Sequence, residues 1–482
     1  MTHTPTQEQA EIVDAAQNTT DNLIVSALAG AAKTSTLVLL ATALSKTTAL
    51  CLSFNKRIAI EMQERLPSNC TAMTLNSLGH RTWADCITGR VVLKTDKNYK
   101  ILSELVGKLN GDEKDRGFAE FADTLKMMES GKSAGYIPTD TFPNAKRLMN
   151  DNEFFGWLED EPSALQERLL REATIESIAQ GMKGLIDFSD QILLPTVFPS
   201  MFPHFPLVMI DEAQDLSALN HATLRKLAKK RLIAVGDENQ AIYGFRGAHE
   251  DSMAKMKDDF KMRSLVLSIS FRCPKAVVAE ALWRAPHMKY PEWAKDGSVT
   301  SLTAWNKDTV PETAAIICRN NAPLFSMAIK LLKNGRYPQI VGNDIGKYLV
   351  KIMKKFGKTD LPRNDVHKAI DDWIAEKLKK TRNPAKVYDQ AECLRIFTNT
   401  GETLGDAIMY AEHLFASQGP IQLMTGHKSK GLEFDNVFIL DKELIDITEG
   451  QERNLLYVMQ TRAKLNLYYV NSKDFDDEVE NS

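Results

Sequence analysis

The chain has 482 residues, 43% of them hydrophobic and 26% charged, with a formal net charge of −3. That length is too great for one hydrophobic core and implies roughly two to four compact units, and the composition excludes a disordered chain. A near-neutral balance also excludes a generally basic surface, so any affinity for nucleic acid has to come from a local channel.

In chain order, short apolar runs end in residues that carry chemistry. Leu23–Ala27 leads into a small-residue loop, Leu50–Phe54 into Asn55 and Lys56, Leu207–Ile210 into Asp211 and Glu212, and Leu232–Val235 into Gly236 and Asp237. Buried parallel strands have this character, with functional groups at their carboxyl ends and helices between them. Residues 85–185 break the pattern: they are helix-forming, with interspersed charge and no strand signal. A second α/β series follows, with strands expected over Thr313–Cys318, Ile421–Thr425, Val437–Leu440 and Leu465–Val470. It is interrupted by a helical segment over 344–418, which carries Lys347, Lys351, Lys354, Lys355, Lys358, Lys377, Lys379, Lys380 and Arg382. The expected organisation is a first α/β domain over 1–84 and 186–275, and a second over 276–343 and 419–482, each with a mainly helical insertion.

Six scattered cysteines form no Cys-x-x-Cys pair, which argues against a structural zinc site and reads as buried thiols. The N-terminus lacks a signal-peptide plan, and no apolar run is long enough to span a bilayer. A cytoplasmic protein is expected.

Two strings carry the chemistry. Ser26-Ala-Leu-Ala-Gly-Ala-Ala-Lys-Thr-Ser35 follows a strand and opens a helix, the setting in which small residues let backbone N–H groups wrap phosphates. Ala29, Gly30, Ala31, Ala32 and Ser35 would line that loop. Lys33 would reach the β/γ-phosphates of ATP, and the Thr34 hydroxyl would ligate Mg2+. Ala27 and Ala32 stand where the phosphate-loop pattern has its outer glycines. In Val208-Met-Ile-Asp-Glu-Ala-Gln-Asp215, Asp211 suits the Mg2+ and Glu212 the attacking water.

Asp-Glu-Ala-Gln-Asp is similar to motif II of UvrD/Rep-like superfamily 1 helicases, and further motifs of that family follow in order. Thr6-Gln-Glu-Gln9 resembles the Q motif, and Leu52-Ser-Phe-Asn-Lys56 motif Ia. Thr74-Leu-Asn-Ser-Leu-Gly79 resembles the next stretch, with Asn76 in a histidine position. Residues 236–248 resemble motif III, 270–274 motif IV, 318–322 motif IVa, 425–435 motif V and 455–463 motif VI.

The resemblance implies two RecA-like P-loop motor domains with ATP between them and 3′→5′ movement on single-stranded DNA. It assigns Gln9 to adenine, Gln240 to the γ-phosphate, Phe271 and Gly431 to the nucleotide, Glu433 to the ribose, and Arg272 and Arg462 to the transferred phosphoryl group. It places Phe54, Asn55, Lys56, Thr74, Ser77, Tyr243, Phe245, Arg246 and His427 along the strand. Single-stranded DNA, its junctions with duplex, and protein partners in replication, repair or defence are the implied partners, with no membrane. A DNA-stimulated ATPase that regulates or recruits without processive unwinding fits the same motifs. The chain departs from the family at Ser35, where arginine is frequent, and at Phe271, where tyrosine is usual.

Overall fold

The computed structural model describes residues 4–53, 55–244, 251–342 and 344–476. The chain divides into two compact units, one of residues 1–27 and 32–267, the other of 28–31 and 268–482.

The first unit opens with α1 (Gln7–Asn18), β1 (Leu23–Ala27), α2 (Lys33–Ala43), β2 (Ala49–Ser53), α3 (Lys56–Arg65), β3 (Cys70–Thr74) and α4 (Leu75–Cys86). A helical stretch follows: β4 (Val92–Leu93), α5 (Lys97–Gly107), α6 (Gly111–Ala134), α7 (Asp151–Trp157), α8 (Ala164–Met182), β5 (Leu185–Ile186) and α9 (Asp190–Val197). The unit closes with β6 (Leu207–Ile210), α10 (Ala218–Leu227), β7 (Arg231–Gly236), α11 (Ser252–Phe260) and β8 (Arg263–Leu267). Its parallel sheet has the order β3-β2-β6-β7-β1-β8. The central strands β6, β7 and β1 lie side by side, so the loops after them converge on one edge.

The second unit contains α12 (Lys275–Ala281), β9 (Ser298–Ser301), β10 (Ala314–Cys318), α13 (Asn321–Lys333) and β11 (Pro338–Ile340). Four helices occupy the next stretch: α14 (Asp344–Phe356), α15 (Arg363–Leu378), α16 (Pro384–Thr398) and α17 (Leu404–Ala416). Then come β12 (Ile421–Thr425), α18 (Gly426–Ser429), β13 (Phe434–Leu440), α19 (Gly450–Gln460) and β14 (Ala463–Val470), completing a parallel sheet of order β11-β12-β10-β13-β14-β9. Ala314–Cys318 is buried at every position, as a strand covered on both faces requires. Among the described residues no helix is long and apolar enough to cross a membrane.

Three sequence expectations need correction. Residues 85–185 were expected to lack strands, yet Val92–Leu93 pairs in parallel with Leu185–Ile186; a two-residue pairing is too short to leave a periodic signal. Each main sheet also has two strands beyond the four expected. β3 and β8 flank the first sheet and β11 and β9 the second, and edge strands need only one apolar face. Finally, five cysteines are buried, whereas Cys86 is exposed.

The helical stretch of the first unit has its own apolar core, built around Leu102, Met128, Phe154, Leu169 and Ala173. Beside it lies a buried charge cluster. Lys97 pairs with Asp190, and Lys132 pairs with both Asp187 and Asp190; all four side chains are almost fully buried. Burial pulls the Lys97 ammonium below its ordinary range, opposed by Asp190. Two lysines and two aspartates sum to zero, so the set is tolerated only as a set. Lys132→Met is expected to cost about 3–5 kcal/mol of stability by leaving carboxylates uncompensated. Urea unfolding measures this, and a loss below about 1 kcal/mol would mean that water reaches the cluster.

Candidate functional site

The loop after β1 is held in a backbone shape that L-residues seldom adopt. Gly30 has φ +75°, and an added Cβ there would lie 2.6 Å from Ser270 Oγ. Ala32, the residue before α2, is left-handed at φ 57° and ψ 40°. For alanine this costs roughly 1–2 kcal/mol, strain that a structure retains where the turn has a use. Ala32 provides no side-chain cap for α2, and a helix N-terminus directs its first-turn N–H groups and the positive end of its dipole toward an anion.

Opposite Lys33 and Thr34 stand the acidic residues that follow β6. Thr34 Oγ1 donates to Asp211 Oδ2 at 3.2 Å, and Lys33 Nζ lies 3.5 Å from Glu212 Oε2. Glu212 is itself left-handed (φ 54°), and its N–H donates to Asp211 Oδ1 at 2.9 Å. Gln214 ties this corner to the next strand: its Nε2 donates to Glu212 at 2.5 Å, while its Oε1 accepts from the Asp237 N–H at 3.0 Å. Asp237 in turn accepts from Gln240 Nε2 at 2.6 Å.

Burial and the neighbouring Glu212 push the Asp211 carboxyl up to about 6, against the lowering effect of Lys33. Burial raises the Asp237 carboxyl too. Crowded carboxyls of this kind are relieved by a divalent cation. Among the described residues no group of three or more His, Cys, Asp or Glu could hold a metal alone. The oxygens present fit an ion that takes few protein ligands and completes its shell with phosphate and water, as Mg2+ does. Thr34 and Asp211 bring two oxygens together at this junction.

Gln9 is buried and anchored at both ends of its amide: Oε1 accepts from the Thr6 N–H in a capping box, and Nε2 donates to Thr36 Oγ1 at 3.1 Å. Ser35 accepts from Arg65 Nη2 at 3.0 Å, a contact the sequence did not suggest.

Within the second unit, the Ala29 N–H donates to the Tyr457 hydroxyl at 3.1 Å, and the Gly30 carbonyl accepts from the Phe271 N–H at 2.9 Å. Ala31 is buried and bonds back to the Leu28 carbonyl. The Phe271 ring stacks at 6.2 Å on Trp293, which is largely exposed. Arg272 Nε donates to Glu433 Oε2 at 2.7 Å, so these two predicted nucleotide contacts engage each other. Gly431, two residues before Glu433, has φ +84° in open space. Arg462 is buried: its guanidinium donates to the carbonyls of Val458 (2.8 Å) and Leu432 (3.2 Å) and to Thr461 Oγ1 (3.2 Å).

Of the predicted track residues, Phe54, Phe245 and Arg246 lie outside the described residues. Asn55 and Thr74 are helix N-caps, accepting from the N–H groups of Ile58 and Ser77. Lys56 and Ser77 are exposed, and His427 is half-buried on α18. Tyr243 lines a cavity of about 320 Å3 together with Asn76, Phe188, Asp215, Ser217 and Asn220. Phe188 was missed from sequence. It is 56% exposed, and its carbonyl accepts from Asn76 Nδ2 at 2.9 Å. The available signal was an aromatic between two aspartates, Asp187 and Asp190, just beyond the stretch 85–185 read as helix.

The chain matches the UvrD/REP helicase N-terminal domain over residues 6–261 and the UvrD-like helicase C-terminal domain over 420–470. It is 22% identical over 510 aligned residues to F-box DNA helicase protein 1 of Schizosaccharomyces pombe, covering 96% of this chain and 57% of that protein. It is 24% identical over 301 residues to the ATP-dependent DNA helicase PcrA of Leuconostoc citreum, covering 56% of this chain and 38% of the relative. DNA helicase II of Escherichia coli is 31% identical over 87 residues, 16% of this chain and 12% of that protein. The chain thus spans less than two thirds of the length of each. The N-terminal match alone takes in more than half of the chain, and it contains the loop after β1 and both Asp211 and Glu212: the chain belongs to the UvrD/REP helicase family.

Proposed function

We propose that this chain is an ATP-driven DNA helicase or translocase that moves 3′→5′ on single-stranded DNA. Its two units act as RecA-like motors, with residues 85–185 and 344–418 as helical insertions. The observation that carries the reading is the junction of loop, Thr34–Asp211 bond and Lys33–Glu212 pair at adjacent strand ends.

In this reading Thr34 and Asp211 hold Mg2+, which neutralises charge on the phosphates when bound. Lys33 leaves Glu212 for the phosphates, and the freed carboxylate orients the attacking water. Gln240, held by Asp237, lies one strand over to sense the γ-phosphate. Arg272 and Arg462 serve the transferred phosphoryl group, and Arg272 must first leave Glu433. Tyr243 and Phe188 border a cavity that offers aromatic faces and polar groups together, the combination that binds bases without reading them.

The test is strand displacement by the purified chain on a duplex with a 3′ single-stranded tail, run beside single-strand-stimulated phosphate release. Both activities are expected. Hydrolysis without displacement would favour the regulatory ATPase, and neither would end the helicase reading.

A pH dependence follows from Asp211. Its carboxyl titrates near 6 in the folded protein, above its ordinary value, so below that pH a proton competes with the metal. The apparent Mg2+ requirement for turnover is expected to rise about tenfold per pH unit below about 6 and to be flat above about 7. In metal-free protein, ionising Asp211 costs stability: its contribution is fully present below about pH 4 and is lost as pH rises through about 6. A Mg2+ requirement independent of pH across that range would show that Asp211 is not the ligand.

A further inference from the structure

Four consecutive residues at the start of α2 are each met by a side chain, and the four side chains come from three separate parts of the first unit. Lys33 meets Glu212, Thr34 meets Asp211, Ser35 meets Arg65, and Thr36 meets Gln9. The proposed function uses Glu212 and Asp211, and the family resemblance assigns Gln9 to adenine. Arg65 is the fourth member and has no role in it.

We propose that Arg65 is a nucleotide-binding residue whose guanidinium takes the α-phosphate of ATP and ADP. This rests on the reading of the loop as a nucleotide site. The position follows from the order along the helix. Lys33 and Thr34, with Glu212 and Asp211, form the end where metal and γ-phosphate chemistry would lie, and Gln9 at Thr36 marks the base end. Ser35 falls between them, where a phosphate loop holds the α-phosphate.

Arg65 is also well mounted. It closes α3, whose last turn is clamped to β3: Gln63 Nε2 donates to the Cys70 carbonyl at 3.3 Å, and Gln63 Oε1 accepts from the Ala72 N–H at 2.7 Å. Met62, three residues back, is fully buried. The anchored backbone limits the entropy lost when the exposed guanidinium closes on an anion, and the planar fork suits a phosphate oxygen pair. Charge balance favours the same assignment. Within the first unit, Lys33 faces the carboxylates of Asp211, Glu212 and Asp237, so the lysine of the loop is more than balanced by its acidic neighbours. A second cation on the loop's flank offsets part of that deficit.

The test compares wild-type protein with Arg65→Ala and with the double variant Ser35→Arg/Arg65→Ala, which moves the guanidinium onto α2 itself. ADP and ATP affinities by equilibrium titration, and KM and kcat for ATP, are the readouts. In Arg65→Ala, Kd for ADP, Kd for ATP and KM should each rise about tenfold, the scale of one charge-assisted phosphate contact, with kcat within about twofold. The double variant should recover most of the loss. ADP affinity within about twofold of wild type in Arg65→Ala would overturn the assignment, because surface hydrogen bonds of this kind contribute little. A loss confined to ATP would overturn it as well, since it would put the guanidinium at the γ-phosphate. Wild-type protein that binds neither nucleotide would refute the proposed function instead.

Discussion

Glu212→Gln and Lys33→Ala are each expected to lower single-strand-stimulated phosphate release by about 10³-fold or more, while single-stranded DNA binding stays within about twofold of wild type. The reasons differ. Glutamine keeps the size of Glu212 and its bond to Gln214 but cannot accept a proton or polarise a water. Alanine at 33 removes the cation meant for the β/γ-phosphates and strands Glu212 without its partner. DNA binding is expected to survive because the cavity proposed for the strand is lined by neither residue. Phosphate release and fluorescence anisotropy of a labelled strand are measured on the same preparations. Turnover like wild type in either variant would mean that the junction of loop and carboxylates is not where hydrolysis occurs.

Arg272→Lys and Arg462→Lys should slow kcat by about 10³–10⁵, roughly 4–7 kcal/mol of barrier, while raising Kd for ATP far less. Arginine fingers act on charge that develops in the transition state, and lysine lacks the planar fork. The two substitutions should differ in their side effects. Arg272 is partly exposed and bonded to Glu433, so its replacement should leave folding intact. Arg462 is buried and satisfies two carbonyls and a hydroxyl, so lysine there should also lower the unfolding midpoint. Turnover is therefore compared at a temperature where both variants are folded by circular dichroism. Losses below about tenfold in both would remove these residues from the phosphoryl site.

Leu207–Ile210 was legible to the residue because burial on both faces writes an uninterrupted apolar run, and Ile421–Thr425 was legible through its apolar Ile421, Leu423 and Met424. The edge strands were not, since Cys70–Thr74 and Arg263–Leu267 mix polar and apolar residues as half-covered strands do. The nucleotide side of the site was readable because its residues are contiguous in short motifs. What escaped were contacts made by residues far apart in the chain. Arg65 reaches across 30 residues to Ser35, and Asn76 reaches across 112 to the Phe188 carbonyl. Neither bond has a spacing rule. Side chains with two duties were also hidden: Thr74 and Asn55 lie within recognised motifs, yet in the structure their oxygens cap helices.

The buried Lys97, Lys132, Asp187 and Asp190 set has a consequence for how the first unit opens. Its members come from α5, from α6 and from the turn at α9, and the neutral sum holds only while all are together. Fraying one helix alone would strand a charge in an apolar interior, so partial openings are penalised out of proportion to the contacts they break. Amide protons of α5, α6 and α9 should therefore exchange with one common opening free energy, as a single cooperative block. Phe188, carried on the turn between the two aspartates, inherits that stiffness: the aromatic wall of the cavity yields only when the whole block does.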